Sequence, residues 1–454
     1  MTTGIDLDRI AQLKAAEDET FTKTHPKSLQ LRERARQSMP LGVPLAWMAV
    51  NWDHPPLFIE TGEASYITDV DGHRYLDLSL GITIASAGHT PEPVIAAVTQ
   101  RMRTGIQFHL PTKDAIAVSE QLTDRWHLPK WQFQLTASQA ATDAIRLARA
   151  YTGRERILVF EGKYQGHLTE LLAVQGDQGT EPEYHGITPT DITRTTVVDW
   201  NDSEAVAREL SAGDVAIVLV EPALTNSGIV FPSETFHSEL RRLTTEHGAL
   251  LVLDETQTLP IAFGGLVNAW DLECDMVVLG KSLGGGVPVA ALGMTDQIAA
   301  LIDHDYQPYE VMGAAVDEPG VGGTLYGNAL SMAAARAALE GVWTIETYAR
   351  TAALAQRMAT GMKASIERHG RNWNVYSIGN RVGYRFDPRP PTNNAEAAAY
   401  DIPAVRHFQR VFMANRGVWD FGWWGGPAIS AQTTEEDVAL YLERFDEFIE
   451  TLLS

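Results

Sequence analysis

DMVVLGKSLGGG, residues 275–286, decides how the rest of the chain is read. Met276 to Leu279 is a short apolar run, the pattern of a strand buried on both faces. It delivers Lys281 onto a turn, and Gly284, Gly285 and Gly286 follow. Glycines there let backbone approach a ligand closely, which a solvated surface lysine does not need. A second apolar run upstream, Ala249 to Leu253, ends in Asp254-Glu255. Around these two runs the chain alternates. Helical patterns at 115–125, 139–151, 203–210 and 234–247 interleave with β-rich runs at 157–160, 195–198, 215–221, 249–254 and 276–280. The alternation predicts an α/β fold whose large domain has a mostly parallel sheet with helices on both faces. Ligands in such sheets sit beyond the carboxyl ends of the strands, where Glu221, Asp254 and Lys281 fall.

The flanks read differently. Residues 1–40 are polar and helical, an N-terminal arm with Ile5, Ile10 and Leu13 at helical spacing. PLGVPLAWMAV (40–50) reads as a loop or short strand carrying Trp47. Residues 57–78 read as a hairpin about Asp71-Gly72. Asp69-Val70-Asp71-Gly72 starts like a calcium loop, but Tyr75 and Leu76 interrupt the ~12-residue ligand pattern. After Gly327-Asn328 come an Ala-rich helix from about 330 to 341, Pro/Asn-rich breaks at 387–394, a helix near 402–415, and a final helix from Glu435 capped by Thr433 or Thr434. Residues 41–80 and 328–454 are therefore expected to form a smaller α+β domain, and 81–327 the large ligand-binding domain. The net charge of −22 argues against nucleic acid and anionic membranes as partners. The apolar runs are far shorter than the ~20 residues of a membrane span, and the first residues lack the apolar core of a signal peptide. One cysteine, Cys274, excludes an intrachain disulfide and a Cys-based zinc site. A reducing cytoplasm fits this usage, and no metal site is expected.

A lysine and an aspartate just past two buried strands suit pyridoxal 5′-phosphate (PLP). The lysine engages the aldehyde, and the carboxylate holds the proton on the ring nitrogen. A bare strand-end acid such as Asp254 could equally cap the loop that follows. Gly280-Lys281-Ser282-Leu283-Gly284 also matches the G-x-S-x-G nucleophile elbow, but three glycines and Pro288 oppose the helix which that elbow requires. Thr136-Ala137-Ser138-Gln139 precedes the helical ATDAIRLARAY and reads either as an N-cap alone or as a phosphate site at a helix terminus.

The stretches TDVDGHRYLDL, AGHTP, FQLTASQAATDAIRLARAYTGR, FEGKYQGH, LVEPALTNSG, LLVLDETQT, LGKSLGGGVPVAALG, GGTLYGNALSMAAA and SAQTTEEDV follow one another in this order. Together they resemble the class III (ω-type) PLP-dependent aminotransferases of PLP fold type I. The branch is the one near glutamate-1-semialdehyde aminomutase and the D-phenylglycine and β-phenylalanine aminotransferases. The resemblance covers about residues 30–454. It implies that Lys281 is the Schiff-base lysine and proton shuttle, and that Asp254 pairs with the pyridine nitrogen. Ala137 and Ser138, with Thr136, would bind phosphate. Tyr164 would stack on the ring, Glu221 falls at the family's Glu-Pro pair, and Gln257 lies near the ring hydroxyl. Thr324 would reach the phosphate of a neighbouring subunit, which implies a homodimer with shared sites.

Departures from the family pattern concentrate at the substrate end. Alanine stands at the cup glycine (Ala137), Gln139 at the glutamate after it, and Tyr164-Gln165-Gly166 at Tyr-His-Gly. Relatives acting on amino acids often carry arginines in the segments aligned with 44–48 and 420–426. Here those segments read PLAWM and DFGWWGG, with Trp47, Trp423 and Trp424 and no arginine. A bidentate arginine is the best carboxylate clamp. The expected substrate is therefore a bulky, aromatic amine or amino acid together with an oxo acceptor. Arg381 and Arg385 are the remaining carboxylate candidates. The expected activity is amino-group transfer, with an aminomutase or racemase on the same scaffold as the alternative.

Overall fold

Strand formation in the middle of the chain follows from burial on both faces. Every residue of Val215–Val220, Leu250–Asp254 and Met276–Leu279 is buried, as a helix-covered parallel sheet requires. The computed structural model describes residues 5–177, 179–303, 319–420 and 426–454. It divides into two units, one of residues 92–348 and 391–396, the other of 1–91, 349–390 and 397–454.

In the larger unit seven strands run in the order Lys130–Gln134, Ala290–Met294, Met276–Leu279, Leu250–Asp254, Val215–Val220, Arg156–Phe160, Thr195–Val198. The last five are mutually parallel. Ala290–Met294 is antiparallel to both its neighbours. Neither it nor Lys130–Gln134 was legible as a strand. Ala-Ala-Leu-Gly-Met has no β-branched residue and little intrinsic strand preference. It is a strand because partners flank it on both sides, and because Gly293 admits the Trp131 ring, whose nearest atom would lie 2.6 Å from an added Cβ. Helix Ala137–Thr152 packs a face of Ala140, Ala141, Ala144 and Ala148 against this sheet. Alanines let the helix axis approach closely and hold its N-terminus at the strand ends.

The helix Ala329–Gly341 was expected in the C-terminal domain. It belongs to the larger unit, packed along Glu92–Thr104 and Lys113–Trp126. Its alanine face needs apolar neighbours, and the buried Arg125 donates to the carbonyls of Leu339 (2.7 Å) and Trp343 (2.8 Å) at its end. The unit boundaries accordingly fall after Pro91 and Tyr348 rather than near 80 and 327.

In the smaller unit the hairpin strands Ile59–Glu63, Tyr66–Asp69 and Arg74–Asp77 form a four-stranded sheet with Val418–Trp419, which is parallel to its neighbour. Its core joins Leu76, Leu78, Met358, Phe408, Phe445 and Phe448. The arm helix Leu7–Thr24 packs on Pro403–Ala414, burying Ile10 and Phe21. Residues 40–50 form a 3₁₀ turn, Pro40–Gly42, and a short helix, Trp47–Val50, rather than a strand. No described helix is long and apolar enough to cross a membrane.

Candidate active site

Parallel pairing sets Asp254 opposite Val278, so two neighbouring strands end at the same edge of the sheet. One ends on Asp254; the other runs through Gly280 to Lys281. Lys281 has φ +45°, a region that costs a side-chain-bearing residue about 1–2 kcal/mol. Strain of this kind collects at functional sites. Gly280 packs closely: an added Cβ would lie 2.9 Å from Ala137 Cβ and 3.5 Å from Thr256 Cγ2. The lysine turn is thus pressed onto the N-terminus of helix Ala137–Thr152 and onto the segment after Asp254. Ser282 is fully buried inside a 3₁₀ turn, Lys281–Gly284. It is not an exposed nucleophile, and the serine-elbow alternative falls.

Two buried carboxylates face this lysine. Burial pushes the Asp254 carboxyl up, opposed by hydrogen bonds from Thr256, whose amide donates to Oδ1 at 2.9 Å, and by the Lys281 charge. Glu221 is pushed up to about 7, first by burial; Thr225 and Asn226 draw it back, and the Asp254 charge adds to the rise. Thr225 Oγ1 donates to Glu221 Oε2, and Asn226 Nδ2 donates to Oε1 at 3.1 Å. Gln257 Nε2 donates in turn to Asn226 Oδ1 at 3.0 Å. Glu221 and Gln257 are therefore linked through Asn226 in one hydrogen-bonded chain. Thr225 and Asn226 had no role in the sequence reading. Their signal is spacing, four and five residues past a strand-end glutamate.

At the helix terminus Thr136 is the N-cap, and its hydroxyl accepts the Gln139 amide at 3.4 Å in a capping box. The first amides of the helix have no carbonyl ahead of them. Ser138 Oγ accepts the His167 amide at 2.9 Å, which leaves its hydrogen available to an anion. Gly166, at φ +108°, approaches so near that a Cβ would meet Ser138 Cα and Oγ at 2.8 Å. That contact docks the loop of the half-buried Tyr164 on the same helix end. Burial, then the Glu183 charge, raises the Tyr164 phenol. Glu255, next to Asp254, has a structural task. Its buried carboxylate accepts the Thr258 hydroxyl and the Val267 amide and is pushed up to about 7 by burial.

Lys281, Asp254, Glu221, Gln257, Thr136, Ala137, Ser138 and Tyr164 all belong to the larger unit. The set fits PLP: a buried carboxylate within electrostatic reach of a lysine, amides and a donor hydroxyl for phosphate, and a glycine cradle at Gly280. Thr324 stands in an exposed turn whose carbonyl accepts Gln107 Nε2 at 2.8 Å. Trp47 is half-buried in its short helix in the smaller unit. Trp423 and Trp424 lie outside the described residues. Arg385 lies 3.8 Å from Asp401 and is buried with Arg381 in the smaller unit.

Residues 47–410 match the aminotransferase class-III family. The chain is similar to the glutamate-1-semialdehyde 2,1-aminomutase of Akkermansia muciniphila, with 34% identity over 78% of this chain and 82% of that one. Its fold is similar to a glutamate-1-semialdehyde aminomutase of Pseudomonas aeruginosa PAO1 in complex with PMP, with a TM-score of 0.93, 33% identity, and 99% and 100% of the two chains covered. It is also similar to a β-phenylalanine aminotransferase of Variovorax paradoxus, with a TM-score of 0.86, 26% identity and 97% of each chain covered.

Proposed function

Because the chain belongs to the class III aminotransferase family, we propose that it is a PLP-dependent aminotransferase acting on a bulky, aromatic amine or amino acid and an oxo acceptor. When bound, PLP supplies an aldehyde that condenses with amines and a ring that accepts electrons. The chain's own residues do the rest. Lys281 would hold the cofactor through Nζ and, once a substrate amine has replaced it there and freed it as an amine, would take the proton from the substrate Cα. Asp254 keeps the ring nitrogen protonated, and burial strengthens that pairing. Ala137, Ser138 and Thr136 hold the phosphate at the helix terminus. Tyr164 would flank the ring, and Gln257, held through Asn226 by Glu221, would serve its hydroxyl. Thr324 serves the phosphate of a second copy, so the working form is a homodimer.

The observation that carries the reading is the pair of neighbouring strand ends that bring Asp254 and the strained Lys281 to one edge. The aromatic preference rests on the missing arginines at 44–48 and 420–426. Half-reactions followed by absorbance test it: aryl-alkyl amines should convert the cofactor faster than alanine or glutamate, and the reverse order sinks it. The similarity to two aminomutases favours a second reading, isomerisation without net release of an oxo product. A coupled assay for released ketone separates the two.

A further inference from the structure

Away from this site, in the smaller unit, His25, Asp69 and His73 each bring one possible ligand atom within 4.8 Å of the others. His25 is the junction between helices Leu7–Thr24 and Pro26–Ala35. Asp69 ends a hairpin strand and His73 precedes the next. The hairpin turn itself is not a calcium loop. Asp71 accepts the amides of Lys27 and Ser28 at 2.8 and 2.9 Å. Asp69 Oδ1 accepts those of Asp71 and His73 at 2.9 and 2.8 Å. Asp69 Oδ2 is the oxygen turned toward His25.

Backbone carbonyls fix the histidine tautomers. Nδ1 of His25 lies 2.5 Å from the Phe21 carbonyl, and Nε2 of His73 lies 2.8 Å from the Thr24 carbonyl. A carbonyl only accepts, so these nitrogens carry hydrogens, and in the neutral rings the opposite nitrogens present lone pairs. Nε2 of His25 then lies 3.2 Å from Asp69 Oδ2. Tyr75 Oη completes a triangle, 2.6 Å from that nitrogen and 2.9 Å from that oxygen. The phenol has one hydrogen to share between two acceptors. His25 and Asp69 are 4% and 2% exposed, so water does not relieve the repulsion, and the site calls for a positive charge. The 3.2 Å separation is close to the edge of a tetrahedron with ligands at about 2.0–2.1 Å. A carbonyl holding the far nitrogen is the outer-shell arrangement that orients metal-bound histidine.

We propose that His25 Nε2, Asp69 Oδ2 and the bare ring nitrogen of His73 bind one divalent transition-metal ion of the zinc class, with water in the fourth position on the half-exposed His73 side. Two imidazoles and one carboxylate select zinc, cobalt, nickel or copper over calcium and magnesium. The ion staples the junction of the arm helices to the hairpin and so fixes the arm. This site lies outside what the sequence alone suggested, because its ligands are 44 and 48 residues apart from His25 and match no metal spacing.

The test uses the tag-free, full-length chain carrying its cofactor, stripped with EDTA and titrated with zinc by calorimetry and with cobalt by its visible ligand-field bands. One equivalent should bind per chain. Zinc at a hundredfold excess over Kd should raise the Tm by about 2–4 °C. His73→Gln and His25→Gln should each abolish the saturable site, whereas Lys281→Ala should keep it. Should His25→Gln fail to fold, the half-exposed His73→Gln decides alone. Absence of a 1:1 site in the wild type means that a proton fills the triangle and overturns the proposal. So do undiminished binding in His73→Gln, loss of binding in Lys281→Ala (which locates the metal on the cofactor), and calcium binding as tightly as zinc.

Discussion

At the scale of the residue, the candidate active site is an arrangement of three buried or strained groups with opposed charge preferences. Lys281→Ala should abolish covalent attachment of the cofactor, read as a shift of its absorption band, and lower turnover by about 10⁴-fold. Asp254→Asn should keep cofactor binding but lower turnover by roughly 10²–10⁴, because a neutral amide does not hold the ring proton. A steady-state assay with a spectrum of each variant checks both. Glu221 supplies a pH signature. Its carboxyl rises from 4.5 to about 7 on folding, so the folded chain binds its proton more tightly than the unfolded chain does. That contribution is complete below pH 4.5 and is lost as pH climbs through about 7, on the order of 3 kcal/mol in all. Glu221→Gln cannot ionise. The stability difference between variant and wild type should therefore shift in the variant's favour between pH 5.5 and pH 8, read as the difference in Tm; a pH-independent difference excludes the buried proton.

At the scale of the element, helix Ala137–Thr152 and the turn Lys281–Gly284 depend on one small contact. Gly280 has φ −167°, extended backbone that any residue adopts, so Gly280→Ala tests packing alone. The new methyl would sit 2.9 Å from Ala137 Cβ. It should weaken cofactor binding and destabilise by about 1–3 kcal/mol. Ala137→Gly in the same chain should restore much of both, because it removes the atom that is struck. Urea unfolding and cofactor titration of the single and double variants measure this coupling. The same elements show what was legible. The strand Met276–Leu279 and the helix Ser203–Leu210 are where periodicity put them, since burial and pattern agree. Ala290–Met294 escaped because tertiary pairing overrides its weak strand preference. The 40–50 segment escaped because its turn and helix are too short to show a period.

At the scale of the whole molecule, the larger unit leaves Met102, Phe108, Leu110 and Ile116 exposed at 65%, 45%, 72% and 60%. Side chains this apolar, several close in sequence, suit a surface that a second copy covers. Light scattering should give the mass of two chains at micromolar concentration. Thr324, in its exposed turn, should act across that interface. Thr324→Ala should raise the Kd for PLP by about tenfold, the loss of one hydrogen bond to a charged group, without altering the monomer's secondary structure by circular dichroism. A monomer in solution with full cofactor affinity would remove the shared-site reading.

The sequence by itself determined the alternating fold, the strand ends that carry Glu221, Asp254 and Lys281, and the helix terminus at Thr136–Ser138. Each of these is a local pattern of apolar period, turn residues and caps, written in consecutive residues. Only the tertiary structure decided which of those groups share an electrostatic field, that Thr225 and Asn226 link Glu221 to Gln257, that Gly280 has no room for a methyl against Ala137, and that His25 meets Asp69 and His73. Such contacts depend on how distant segments are brought together by strand register and close packing, and no local periodicity encodes those distances.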